Sequence, residues 1–142
     1  MLFNKKNIKI LSIIQLLITS SICIFFSSIE YIELPQVDID FIDKILHLIA
    51  FFIYGISIQI TIINIESLQK KIKKNYKFKI KLIVLIFGIS FAASDEIHQY
   101  FTPGRSADIL DWIADVLGII LSLFLYDNIY NLYLKIINKK EQ

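Results

Sequence analysis

Residues 45–65 read ILHLIAFFIYGISIQITIINI, 21 consecutive positions without an Asp, Glu, Lys or Arg. A helix needs about 20 mostly apolar residues to cross a hydrocarbon core of about 30 Å. With His47 neutral, this stretch is long enough. Its many isoleucines would favour a strand in water. In lipid a lone open strand leaves its backbone unsatisfied, so the stretch reads as a spanning helix. Residues 10–29 repeat the pattern, with 20 positions free of charge.

The composition agrees. The chain has 142 residues, 56% hydrophobic and 20% charged, with mean hydropathy +0.62, and 33 of its residues are Ile. Ordinary soluble domains run about 45–50% apolar and about 25% charged. A disordered chain, a disulfide scaffold and a typical soluble enzyme are therefore excluded. The length fits one domain over residues 1–142. The single Cys23 cannot form an internal disulfide, and a formal charge of +2 indicates no nucleic-acid partner.

Two further segments are less plain. Leu82 to Ser94 is charge-free for only 13 residues, and Val116 to Tyr126 for only 11. Each spans if it absorbs its acidic end, giving about 80–101 and about 109–132. Asp95, Glu96, Asp111 and Asp115 then lie at membrane depth or at the interface. The alternative, two short buried helices of a soluble protein, sits poorly beside the first two spans. The expectation is an all-α, four-helix transmembrane bundle.

Lysine and arginine collect in cytoplasmic loops. Of the 15 basic residues, 13 precede the first span, fill the connection between the second and third, or follow the fourth; only Lys44 and Arg105 fall in the other connections. Both termini are therefore expected in the cytoplasm. The outer half holds ten of the acidic residues and a net −8, the inner half a net +10. The first segment has a basic start like a signal peptide. Its apolar run exceeds the usual 7–15 residues and no A-x-A-like site follows. Ile22 before Cys23 argues against lipoprotein processing, so the segment reads as a retained span. The lysine-rich stretch 64–79 reads as a solvated, partly helical surface. Tyr126, Tyr130 and Tyr133 suit an interfacial aromatic belt, with core packing as the alternative.

The outer polar residues are not scattered. Asp43 and His47 lie four apart on one helix face, with Phe51 continuing it. Asp95, His98 and Gln99 share a face at the end of the third span, and Glu96 and Tyr100 the neighbouring one. Asp108, Asp111, Asp115 and Gly118 share a face at the start of the fourth. Between these two spans sits a Pro-Gly turn, Thr102-Pro103-Gly104-Arg105-Ser106. An ionisable group at mid-bilayer costs roughly 2.5–3.5 kcal/mol on insertion scales, so such groups face the interior and have a task. Several adjacent carboxylates must be protonated, paired with Arg105 or His, or bound to a cation. A purely structural Asp–Gln–Arg network is the competing reading, although it has few donors for so many carboxylates.

These residues carry a resemblance. Asp43-Lys44-x-x-His47-x-x-x-Phe51, Asp95-Glu96-x-x-Gln99-x-Phe101-x-Pro103-x-Arg105 and Asp108-x-x-Asp111-x-x-x-Asp115-x-x-Gly118 resemble the motifs of the VanZ-like membrane proteins. The likeness runs from about Asp43 to Gly118, and the combination is specific where each piece alone is weak. The family often has Asn where Asp115 stands. The resemblance implies a four-span protein of the bacterial cytoplasmic membrane, with its functional face extracytoplasmic. The founding member is associated with resistance to the glycopeptide teicoplanin. Family members have been suggested to process lipid head groups, including those of cell-wall lipid carriers.

The residues fit such chemistry. Arg105 offers a planar fork to a phosphate. His47, oriented by Asp43, can act as general base or nucleophile. Asp95 and Glu96 can exchange a second proton if burial raises a pKa. Gln99 can hold a phosphate oxygen or orient Asp95, and His98 stands beside them. Asp111 and Asp115 can steer Arg105 or hold a divalent cation, an option the residues leave open without a short ligand motif. The first reading is a membrane enzyme, a hydrolase or transferase, acting on phospholipid or polyprenyl-phosphate head groups. The second is a non-catalytic binder that shields a precursor or antibiotic. The third is a small transporter or assembly subunit, disfavoured because the inner halves of the spans hold almost no acidic residues. A homo-oligomer is compatible with so small a bundle. If the orientation is right, cysteines introduced as Glu33→Cys and Gly104→Cys react with a membrane-impermeant maleimide from outside; protection of both overturns it.

Overall fold

The computed structural model describes residues 5–29, 39–66 and 74–138. All regular structure among them is helical: α1 Lys5–Ser27, α2 Ile39–Glu66, α3 Lys74–Tyr100, α4 Ile109–Phe124 and α5 Tyr126–Asn138. The lysine-rich stretch 64–79, expected to be partly helical, is helical at 64–66 and 74–79. Its Lys70, Lys71 and Lys73 lie outside the described residues, as do Glu30, Glu33 and Asp38 of the acidic connection and Lys139, Lys140 and Glu141 at the end.

At 1.5 Å per residue the 23 residues of α1 reach roughly 35 Å, enough for a bilayer core. By length and composition Lys6–Ser27 and Ile42–Ile65 can each cross a membrane, and α4 and α5 can do so together as a bent pair. The apolar residues on the outside support this. Leu17, Phe25, Leu46, Phe87 and Phe124 are all exposed, Phe124 to 77%. Exposed apolar residues at every level of the helices suit lipid rather than water.

Helix α2 is central, packed most extensively on α4 and also on α1 and α3. The α2–α4 contact is set by Gly118. A Cβ there would collide with the Leu48 carbonyl oxygen and stand 2.8 Å from the Phe52 nitrogen, so the two backbones touch. Small residues at such crossings let membrane helices approach closely. Polar side chains add to the grip. Gln59 Nε2 donates to the carbonyl and hydroxyl oxygens of Ser122, each at 3.0 Å. Gln15 donates to Ser57, and Thr61 Oγ1 donates to the Ser12 carbonyl at 2.9 Å, joining α1 to α2.

The stretch expected to form a fourth span is not one helix. It bends by 47° between α4 and α5, at Leu125. There is no Pro or Gly at the break. Gln59 and the Leu125 N–H both occupy the Ser122 carbonyl, which a continuous helix would give to the Tyr126 N–H. The Ser122 hydroxyl also draws on the Ile119 carbonyl at 2.7 Å, and such back-bonding bends helices. Helix α5 is then tied to α3 by Lys77 Nζ to Asp127 Oδ1 at 2.6 Å. Tyr126 is fully buried, with Lys81 5.6 Å from its ring centre and Tyr130 stacked on it. Tyr126 thus takes the core-packing alternative rather than the belt.

The close α2–α4 contact has a testable cost. Overpacking a tight core costs about 1–3 kcal/mol. Gly118→Ala should lower stability by about that much in a detergent unfolding assay, because backbone rather than a flexible side chain must yield. An unchanged midpoint would show that α2 and α4 are further apart.

Candidate functional site

The end of α3 is shaped by the Pro-Gly turn. Pro103 biases Thr102 away from helix. The Arg105 N–H closes on the Thr102 carbonyl at 3.1 Å, and Gly104 adopts φ 74°, the pattern of a type II turn. Asp108 then caps α4, accepting from the Leu110 N–H at 2.9 Å. This short connection brings the α3 end, the α4 start, the α2 start and the α1 end to one level.

There the three polar stripes meet. His47 Nδ1 lies 2.9 Å from Asp115 Oδ1, and Asp115 is fully buried. The expected orienting partner, Asp43, does not make this bond; Asp115 reaches across from α4 at the height fixed by Gly118. Lys44 Nζ bridges Asp108 Oδ2 at 2.9 Å and Asp111 Oδ1 at 3.1 Å. Arg105 Nη1 is 3.7 Å from Asp43 Oδ2 and 3.4 Å from Gln99 Oε1. Neither Asp111 nor Asp115 steers it. Gln99 Nε2 donates in turn to Asp95 Oδ2 at 3.2 Å. Glu96 accepts the Asp108 backbone N–H at 3.0 Å through Oε2, bracing the turn.

A cavity of about 440 Å³ opens beside this cluster. Asp43, His47, Asp95 and Arg105 line its polar end, while Ile22, Phe26, Leu46, Ile49 and Ile53 line its apolar length between α1 and α2. Of the other residues expected at the site, Gln99, Asp111 and Asp115 are buried behind the lining, and Glu96 is engaged in the turn. His98 is exposed, paired at 2.9 Å with Ser28 just past α1, and does not line the cavity.

Helix α1 supplies what the motifs did not indicate. Arg105 Nε donates to the Ile29 carbonyl at 3.1 Å and Nη2 to the Phe26 carbonyl at 3.4 Å. Ser27 and Cys23 complete the lining near Asp95. The available signal was that α1 ends in carbonyls without helical partners, which attract cations.

The arrangement defines a membrane protein with a buried acidic–histidine cluster at the head of an apolar groove. The family model for VanZ/LLP1 matches residues 2–131, nearly the whole chain, and the chain belongs to that family. No curated protein and no solved structure matches it.

At the mouth of the site, the Leu110 N–H and Lys44 hold Asp108 below its ordinary carboxylate value of 3.8. A depressed folded-state pKa contributes stability that is present above the unfolded value and lost as pH falls through the folded one. Below about pH 4 the Lys44–Asp108 tie should therefore weaken. Asp108→Asn keeps a capping oxygen and should flatten this acid limb of the melting curve. An identical acid limb in that variant would mean that Asp108 is not the titrating group.

Proposed function

We propose that α1, α2, α3 and the bent α4–α5 pair are four spans, with both termini in the cytoplasm and the cavity at the outer leaflet. The split of basic residues, 13 against 2, supports that orientation. Helix α3 is 27 residues long, with lysines at its start and acids at its end.

In this reading the protein binds the head group of a membrane lipid or polyprenyl-phosphate-linked precursor. The cavity itself carries the proposal. It is amphipathic like its ligand, with charge at one end and an apolar groove between two spanning helices along the rest. Arg105 would take a phosphate oxygen pair. Asp43 would face a cationic or hydroxyl-bearing part of the head group. A link to glycopeptide (teicoplanin) resistance follows if the lipid is a cell-wall carrier.

A catalytic version is favoured by one observation. Asp115 fixes Nδ1 of His47, and no hydrogen bond engages Nε2 among the described residues. That is how a carboxylate orients an imidazole as general base. Hydrolysis or transfer at the head group would then run through His47, with Asp95 beside it as the second proton carrier.

The test is a binding and turnover assay of the purified protein on phospholipids and polyprenyl phosphates. Arg105→Ala should weaken lipid binding tenfold or more, and His47→Ala should abolish any turnover while retaining binding. Full binding by Arg105→Ala would sink the head-group reading. Glycopeptide susceptibility that stays the same with wild type and with fully expressed pocket variants would exclude a role of this pocket in resistance.

A further inference from the structure

The charges around the cavity do not balance. Lys44 is committed to Asp108 and Asp111, and Arg105 lies nearest Asp43. Asp95, at 4% exposure, and Asp115, at 0%, have no lysine or arginine partner among the described residues. Between them stands His47. One ligand atom from each of His47, Asp95 and Asp115 lies within 4.8 Å of the other two. A second observation points the same way. Asp115 Oδ2 is buried without a hydrogen-bond partner, although its sister oxygen is bound to His47. An unpaired carboxylate oxygen in a low-dielectric interior is costly, and a bound cation relieves that cost.

We infer that His47, Asp95 and Asp115 form a binding site for one divalent transition-metal ion, Zn²⁺ or Mn²⁺. An imidazole nitrogen with two carboxylate oxygens favours these ions over Ca²⁺ or Mg²⁺, which prefer oxygen alone. Two bonds of about 2.2 Å span at most about 4.4 Å, so modest side-chain rotations close the site. Three protein ligands leave a position open towards the cavity that His47 and Asp95 line. A second group, Asp43, His47 and Asp111, has similar spacing, but Lys44 already stands against Asp111 there. The inference goes beyond lipid binding and does not depend on it.

The experiment uses the full chain in detergent, stripped with EDTA. Zn²⁺ and Mn²⁺ are titrated by calorimetry, with Mg²⁺ as control, and bound metal is counted by mass spectrometry. One equivalent per chain is expected. Asp95→Asn, Asp115→Asn and His47→Gln should each bind at least tenfold more weakly. Co²⁺ loading should give visible absorption bands that His47→Gln removes. Helix content by circular dichroism checks each variant. If Asp115→Asn fails to fold, Asp95→Asn decides, since Asp95 accepts from Gln99 one turn along its own helix, a bond that Asn can keep. Arg105→Gln should lose lipid and keep metal, which separates the two proposals. Absence of stoichiometric uptake overturns the site, as does a loss that follows Asp43→Asn but not Asp95→Asn.

Discussion

The bond from His47 to Asp115 joins α2 to α4 where their backbones touch at Gly118. A fully buried carboxylate in a membrane helix is tolerable only with a partner, and that partner needs the two helices this close. The glycine permits the approach, the approach permits the bond, and the bond fixes the imidazole at the head of the cavity. Lys44, three residues before His47, reaches the N-cap Asp108 and the first turn of α4 at Asp111. One helix crossing thus sets the register of the whole polar cluster.

Below that crossing the same pair of helices is held by Gln59 on Ser122, and the cost is a broken helix. The Ser122 carbonyl that Gln59 takes is lost to α4, and the chain turns by 47° into α5. The bend sends Tyr126 inward beneath Lys81 and sets Asp127 against Lys77. Packing at one end of the bundle and geometry at the other are therefore consequences of two polar contacts on one interface.

Much of this was legible in the sequence. An uninterrupted apolar run has few meanings in lipid, so residues 10–29 and 45–65 announce their helices. Spacings of three and four told which polar residues share a face, and Asp43, His47, Asp95 and Arg105 do border one cavity. Spacing within a helix cannot say which side chain meets which across helices. Asp43 was the natural partner for His47 by sequence, yet Asp115, 68 residues away, makes the bond. The break at Leu125 was hidden for the same reason, since its cause lies 63 residues upstream of Ser122. Gln15, Ser57, Gln59 and Thr61 are polar residues inside apolar runs, with no motif around them. Their signal was chemical: a polar side chain inside a span seeks a partner on another helix.

Arg105 carries a last consequence. A guanidinium has five N–H donors, and here they serve the two carbonyls at the end of α1 as well as Gln99. The same side chain is a wall of the cavity and the latch of the helix that forms its other wall. Any anion that draws the guanidinium inward competes with α1 for it, and any shift of α1 frees donors for the anion. If an anion binds there, reciprocity links the position of the first helix to the occupancy of the cavity.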